Sequence, residues 1–344
     1  MALRSAAPAL AAALLFGAST PLAKLLVGAI HPLLLAGLLY LGSGLGLGVL
    51  LLMRAGGASM RIPRREWPWL GGAILFGGVL GPALLMAGLV RTSGATASLL
   101  LNLEGVLTAV IAWLAFHENA DRRIVAGMLA IVAGGALLAW QPGGASFSPG
   151  ALFIAGACLC WSMDNNLTRK VSTHDAMLVA CLKGAIAGVC NTALALAAGA
   201  TFPAWPQAAM SLVVGWLGYG VSLTLFVVAL RTLGTARTGA YFSVAPLFGV
   251  LLSLALWPEM PGPLFWGAAV LMAFGVWLHV RERHEHEHTH EALEHTHRHR
   301  HDAHHQHAHD FPWDGDAAHV HPHRHEVLTH KHPHYPDIHH RHPH

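Results

Sequence analysis

Between residues 7 and 281 the sequence is a succession of apolar runs broken at Gly, Pro and charged residues. Each run has roughly the twenty residues that a helix needs to cross the hydrocarbon core of a bilayer. That feature excludes most folds. Lipid offers no water to the backbone N–H and C=O groups, so each run is read as a helix and not as a strand of an open sheet. Ten runs are counted, at approximately 7–28, 31–53, 68–90, 95–116, 123–140, 149–169, 175–199, 208–231, 234–257 and 263–281. The fold class expected is therefore an all-α polytopic membrane protein of ten transmembrane helices. Composition agrees, with 54% of residues hydrophobic and 11% charged, against about a quarter charged in soluble domains. The formal net charge of +3 averages an apolar region with a polar tail and gives no reason to expect nucleic acid as a partner. Arg4 ahead of an Ala/Leu run is similar to a signal peptide. Its segment has a counterpart later in the chain, so it is expected to be retained.

The chain repeats itself. Leu89-Val90-Arg91-Thr92-Ser93-Gly94-Ala95-Thr96 returns as Ala229-Leu230-Arg231-Thr232-Leu233-Gly234-Thr235-Ala236, and each copy leads through an apolar helix to a glutamate, Glu118 or Glu259. Phe16-Gly17 answers Trp161-Ser162, with Pro21 against Asn166 and Lys24 against Arg169. The repeat unit is five helices. Five is odd, so the second copy enters the membrane upside down, as in the inverted repeats of many secondary transporters. The expected divisions are 1–141 and 142–283 for the two five-helix repeats and 284–344 for the tail. Basic residues of short loops favour the cytosolic side. With a cytosolic N-terminus the inner loops hold Arg4, Arg54, Arg61, Arg64, Arg65, Arg122, Arg123, Arg169, Lys170, Arg231, Arg237, Arg281 and Arg283, and the outer loops hold Arg91. Both termini are expected in the cytosol, in a bacterial-type inner membrane.

These residues resemble the EamA-type drug/metabolite transporters over positions 8 to 281. The resemblance is carried by Leu15-Phe16-Gly17 with Pro21, by Ile30-His31-Pro32-Leu33-Leu34, and by Ser98-Leu99-Leu100 through Leu103-Glu104 to Glu118. In the second half it is carried by Tyr241-Phe242-Ser243-Val244-Ala245-Pro246 and Pro258-Glu259. Gly105 stands where the family's first-half pattern has proline. The resemblance implies two inverted five-helix repeats, alternating access around a central site, and export or exchange of small metabolites, amino acids or toxic organic compounds. No phosphate-cradling glycine loop, nucleophile elbow or zinc-protease helix is present, so no enzyme activity is expected and no cofactor is required.

An ionisable residue inside a span costs about 2.5–3.5 kcal/mol on insertion scales and marks a pathway by default. Glu104 lies mid-span between Asn102 and Gly105. Trp161, Asp164, Asn165 and Thr168 are spaced to share one helix face, the most polar stripe of the membrane region. Lys183 is a candidate partner for Glu104 or Asp164. Lys24 could neutralise an anionic solute or snorkel to the interface. Tyr241, Ser243 and Pro246 stand where the repeat places Asn102, Glu104 and Gly105. The candidate pathway is thus Glu104, Asp164, Asn102, Asn165, Trp161, Lys183, Tyr241 and Lys24. Cys158, Cys160, Cys181 and Cys190 fall in apolar runs and read as core residues. His31, His117, His174 and His279 read as boundary residues.

The other 23 of the 27 histidines fill the tail. His288-x-His290-Glu291-x-Leu293-x-His295-x-His297-x-His299 recurs 35 residues later as His323-x-His325-Glu326-x-Leu328-x-His330-x-His332-x-His334. Imidazole suits zinc, nickel, cobalt and copper, so these ten histidines are expected to bind divalent metal with modest affinity, weakening as the rings protonate near pH ~6.5. Few apolar residues lead to an expectation of disorder in the metal-free tail. Three functions follow in order: a secondary transporter of small organic solutes, a nickel, cobalt or zinc transporter collecting metal on its tail, and a membrane-anchored metal buffer or sensor. The partners expected are a small molecule, the lipid bilayer and divalent metal at the tail, with assembly as a homodimer left open.

Overall fold

The structure is a computed structural model that describes residues 2–54, 62–116, 122–140, 147–171, 175–233, 238, 241–258, 260–280, 285–290, 294–299, 319–324 and 328–333. Glu118, Glu259, His117 and His174, with His325 and His334 of the tail, lie outside the described residues. Residues up to 281 form one compact unit and 282–344 a second.

The first unit is helical throughout its described elements. Helix α1 (Ala2–Val27) and α2 (Pro32–Met53) are followed by α3 (Trp67–Ala73), which passes through a π-helical segment (Ile74–Leu80) into α4 (Gly81–Arg91). Next come α5 (Gly94–Leu100), α6 (Leu103–Phe116) and α7 (Arg122–Ala139). The second half contains α8 (Pro149–Thr168), α9 (Ala176–Ala197), then α10 (Trp205–Gly215), a second π-helical segment (Trp216–Val221) and α11 (Ser222–Leu233). Helices Ala245–Leu256 and Pro263–Val280, α12 and α13, complete it. Among the described residues six helical stretches are long and apolar enough to cross a membrane: Ala6–Val27, Pro32–Met53, Arg64–Arg91, Gly94–Ala115, Ala176–Ala197 and Trp205–Ala229. Val125–Ala139, Ala245–Leu256 and Pro263–Leu278 are shorter apolar helices. The chain is a polytopic α-helical membrane protein.

Local chemistry sets the helix ends. Pro32 opens α2, where its missing N–H costs nothing. The Ser93 hydroxyl accepts from Thr96 N at 3.1 Å to cap α5, and the Asp175 carboxylate accepts from Met177 N at 2.8 Å to cap α9. Large apolar residues such as Leu45, Leu52, Leu129 and Val270 are exposed, as lipid-facing positions are. Inside, small residues bring helices together, as expected where lipid supplies no hydrophobic drive for association. A Cβ on Gly184 of α9 would sit 2.7 Å from the Gly44 nitrogen of α2.

The two halves interlock. Helix α1 packs on α11 and α12, while α8 packs on α4 and α6. The first helix of each half thus lies against the third and fourth of the other. Helix α2 pairs with its counterpart α9, and α7 with α13. Breaks repeat too. The fourth helix is interrupted by a turn at Leu101–Asn102, its counterpart by a turn at Ser243–Val244, and each third helix carries its π segment.

The tail, expected to be disordered, is extended and paired in its described segments. Strands β1 (Glu285–His290) and β4 (Leu328–Pro333) are antiparallel, as are β2 (Glu294–His299) and β3 (His319–Arg324). A scarcity of apolar residues argues against a packed core, which a two-stranded ribbon does not need. Histidine at alternate positions has the period of a strand.

Candidate functional site

The site begins where the fourth helix breaks. Asn102 Nδ2 donates to Leu99 O at 2.8 Å, and Asn102 N also reaches Leu99 O, at 3.2 Å. An asparagine side chain that takes the carbonyl three residues back competes with the helical ladder. That accounts for a break without proline. Asn102, named for the pathway from the sequence, closes the turn with its amide. Side chains of α8 take up the carbonyls around the break: Cys158 Sγ donates to Leu100 O at 3.7 Å and Ser162 Oγ to Glu104 O at 2.9 Å. Gly105 is exposed, and a Cβ there would meet nothing within 4 Å.

The polar stripe of α8 divides among three partners. Asn165 Nδ2 donates to Glu104 Oε1 at 2.9 Å and to Thr108 Oγ1 at 3.3 Å. This joins the two halves of the molecule through a half-buried acid and an exposed amide. Asp164 turns the other way. It is 6% exposed, and Lys183 of α9 donates to its two carboxylate oxygens at 2.5 and 2.6 Å. Thr168 Oγ1 adds a bond to Asp164 Oδ1 at 2.8 Å. The sequence left Lys183 a choice between Glu104 and Asp164, and the fold gives it to Asp164. Trp161, named from the sequence for the pathway, is buried with Nε1 donating to Gly77 O at 3.0 Å. Adjacent positions on a helix lie about 100° apart, so one stripe reaches α6, α9 and the π segment.

That π segment is tied down from three sides. Tyr40 Oη also donates to Gly77 O, at 2.7 Å, and Asn191 Nδ2 donates to Gly78 O at 2.9 Å. Tyr40 touches the second π segment as well, its ring 5.5 Å from that of Tyr219. Phe16 lies edge-on to Tyr219 at 6.0 Å and 5.4 Å from Phe242, and Phe226 is 4.9 Å from Phe242. All five rings are half-buried. The break in the first half is therefore polar, and the matching break in the second half is aromatic. Tyr241 is half-buried at that second break.

Lys24 does not join this cluster. Its ammonium donates to Leu89 O in the last turn of α4, where a cation satisfies a terminal carbonyl and the helix dipole. The sequence reading did not place Tyr40, Tyr219, Thr108 or Asn191 at the site, and it took Phe16 and Ser162 only as marks of the repeat and the family. Their signal was weak: single hydroxyls, amides and rings in apolar runs show their purpose only when a partner helix is in place. A cleft of about 40 Å³ opens by the Arg54–Asp175 ion pair (2.9 Å), lined also by Leu47 and Thr224, with room for water only. Among the described residues no group of three or more His, Cys, Asp or Glu is placed to hold a metal ion.

The chain matches the EamA-like transporter family twice, over residues 4–140 and 148–281. It is 25% identical over 289 residues to an uncharacterized transporter of Methanothermobacter thermautotrophicus, covering 78% of this chain and 83% of that one. Over 90 residues, 26% of this chain and 75% of the relative, it is 43% identical to a probable 4-amino-4-deoxy-L-arabinose-phosphoundecaprenol flippase subunit ArnE of Pseudomonas paraeruginosa. A solved crystal structure superposes with a TM-score of 0.60 at 22% identity, over 79% of this chain and 95% of the other, and shares the fold. Two matches in tandem, on a fold whose halves interlock, make this chain a membrane transporter of the EamA-like family.

Proposed function

We propose that the protein is a secondary transporter, working as an exporter, that moves small organic solutes bearing an amine across the inner membrane by alternating access. In this reading the polypeptide crosses the bilayer ten times with both termini in the cytosol, in keeping with the basic residues of its loops. The observation that carries the proposal is the Glu104–Asn165 pair, which bridges the two halves at a broken helix with the amide exposed. A carboxylate, an amide and the Thr108 hydroxyl suit an ammonium group. The half-buried rings of Phe16, Tyr40, Tyr219 and Phe242 suit the apolar body attached to it, with attraction of a cation to their faces as well. Asp164 and Lys183 neutralise each other and hold α8 to α9 while the halves rock.

The test is uptake into inside-out vesicles containing the purified protein. Amino acids, cationic organic compounds, nickel, cobalt and zinc are offered with and without a proton gradient. The proposal expects uptake of an organic amine and none of the metals. Uptake confined to a divalent metal would overturn it.

A further inference from the structure

The register of the tail strands places histidine opposite histidine. In the β1–β4 ribbon His286 pairs with His332 and His288 with His330. In the β2–β3 ribbon His295 pairs with His323, His297 with His321 and His299 with His319. Residues directly opposite in an antiparallel pair share a face, as do residues two apart on one strand. Each ribbon thus has one face of histidine rungs. Of the six pairs on the other faces three are complementary, Glu287 with Lys331, Thr289 with Thr329 and Glu294 with Arg324, and the rest are Glu285 with Pro333, Thr296 with Pro322 and Arg298 with Val320. Opposite charges and Thr–Thr pairs favour a register, and a slip of one residue would exchange the two faces. Both ribbons also keep a single register, since three residues are passed on each side between them, 291–293 and 325–327.

We propose that each histidine rung is a two-imidazole site for a borderline divalent cation, zinc, nickel or copper(II), and that metal holds these ribbons together. Directly opposite Cβ atoms lie about 4.5–5.5 Å apart, within the span of two imidazoles that share an ion. The ion completes its coordination with water. An isolated two-stranded ribbon is marginal in water, and here Pro322 and Pro333 occupy paired positions, where proline has no N–H to give. A ligand that binds only the paired form supplies the missing stability. His290 is opposite Leu328 and makes no rung. Of the ten histidines that the repeat singled out, seven fall on rungs, and His286, His319 and His321 join them. The inference is independent of what the membrane unit transports.

Equilibrium dialysis of the full-length protein in detergent against nickel or zinc alone tests it. Removing either side of the β1–β4 rungs, by His286→Ala with His288→Ala or by His330→Ala with His332→Ala, should release the same amount of bound metal. All four substitutions together should release no more than either pair. His290→Ala should release none. Losses that add across the two sides, or a wild-type protein that binds no more metal than a chain ending at Arg283, would overturn the proposal.

Discussion

Asp164 and Lys183 are the residues whose substitution should hurt the fold most. Their ion pair is nearly sealed, at 9% and 18% side-chain exposure, and removing one member leaves the other charge without its partner. Lys183→Met is expected to destabilise the protein by about 3–5 kcal/mol, read as a lowered melting temperature in detergent. Adding Asp164→Leu to that variant should restore most of the loss, because a buried pair replaced by apolar residues is close to neutral. A double variant no more stable than Lys183→Met would show that Asp164 does not depend on this partner. Gly17 and Gly105 make a second contrast. A Cβ on Gly17 would lie 2.0 Å from Ala245 O, whereas one on Gly105 meets open space. Gly17→Ala must push α1 from α12 and should cost about 1–3 kcal/mol, while Gly105→Ala should leave melting unchanged or raise it slightly.

At the scale of elements, the two π segments are the joints of the structure. A π turn loosens the helical ladder, and such turns gather at functional sites. The Gly77 carbonyl is held by two donors, Tyr40 and Trp161. Tyr40→Phe or Trp161→Phe alone should therefore cost about 1 kcal/mol, and the two together more than the sum, since only the second loss leaves a buried carbonyl unsatisfied. Additive losses in a double-mutant cycle would remove Gly77 O as their shared acceptor. The sequence placed Asn102, Glu104 and Gly105, and their counterparts Tyr241, Ser243 and Pro246, at matching positions, but read each fourth helix as one unbroken run. It did not announce the π segments, whose cue is no more than Gly77-Gly78 and Gly218-x-Gly220. Nor could it divide the α8 stripe, because 3.6-residue spacing defines a face but not the helix that meets it. In the tail the sequence reading found only the direct repeat, whereas the strands pair His286 with His332 and His299 with His319.

On the scale of the whole molecule, the first helix of each half lies against the third and fourth helices of the other. The internal repeat was legible in the sequence; the contacts between the halves needed the fold. The proposed topology puts the loop between α9 and α10 on the outside. With Cys190 replaced by alanine, a cysteine at Thr201, between α9 and α10, should react with a membrane-impermeant thiol reagent in whole cells. One at Arg64 should react only after the membrane is opened. The reverse pattern would turn the topology over and place the tail outside the cell.

The proposed solute site rests on Glu104. The most direct measurement is counterflow of an organic amine, once identified as a substrate, by Glu104→Gln in proteoliposomes matched to wild type for protein content. Gln keeps a carbonyl for Asn165 Nδ2 and removes the charge that would hold the ammonium. A charge-assisted hydrogen bond is worth about 1.5–3 kcal/mol, so counterflow should fall roughly tenfold or more while melting in detergent stays near wild type. Wild-type counterflow by Glu104→Gln would contradict a solute site at the broken helix between the two halves.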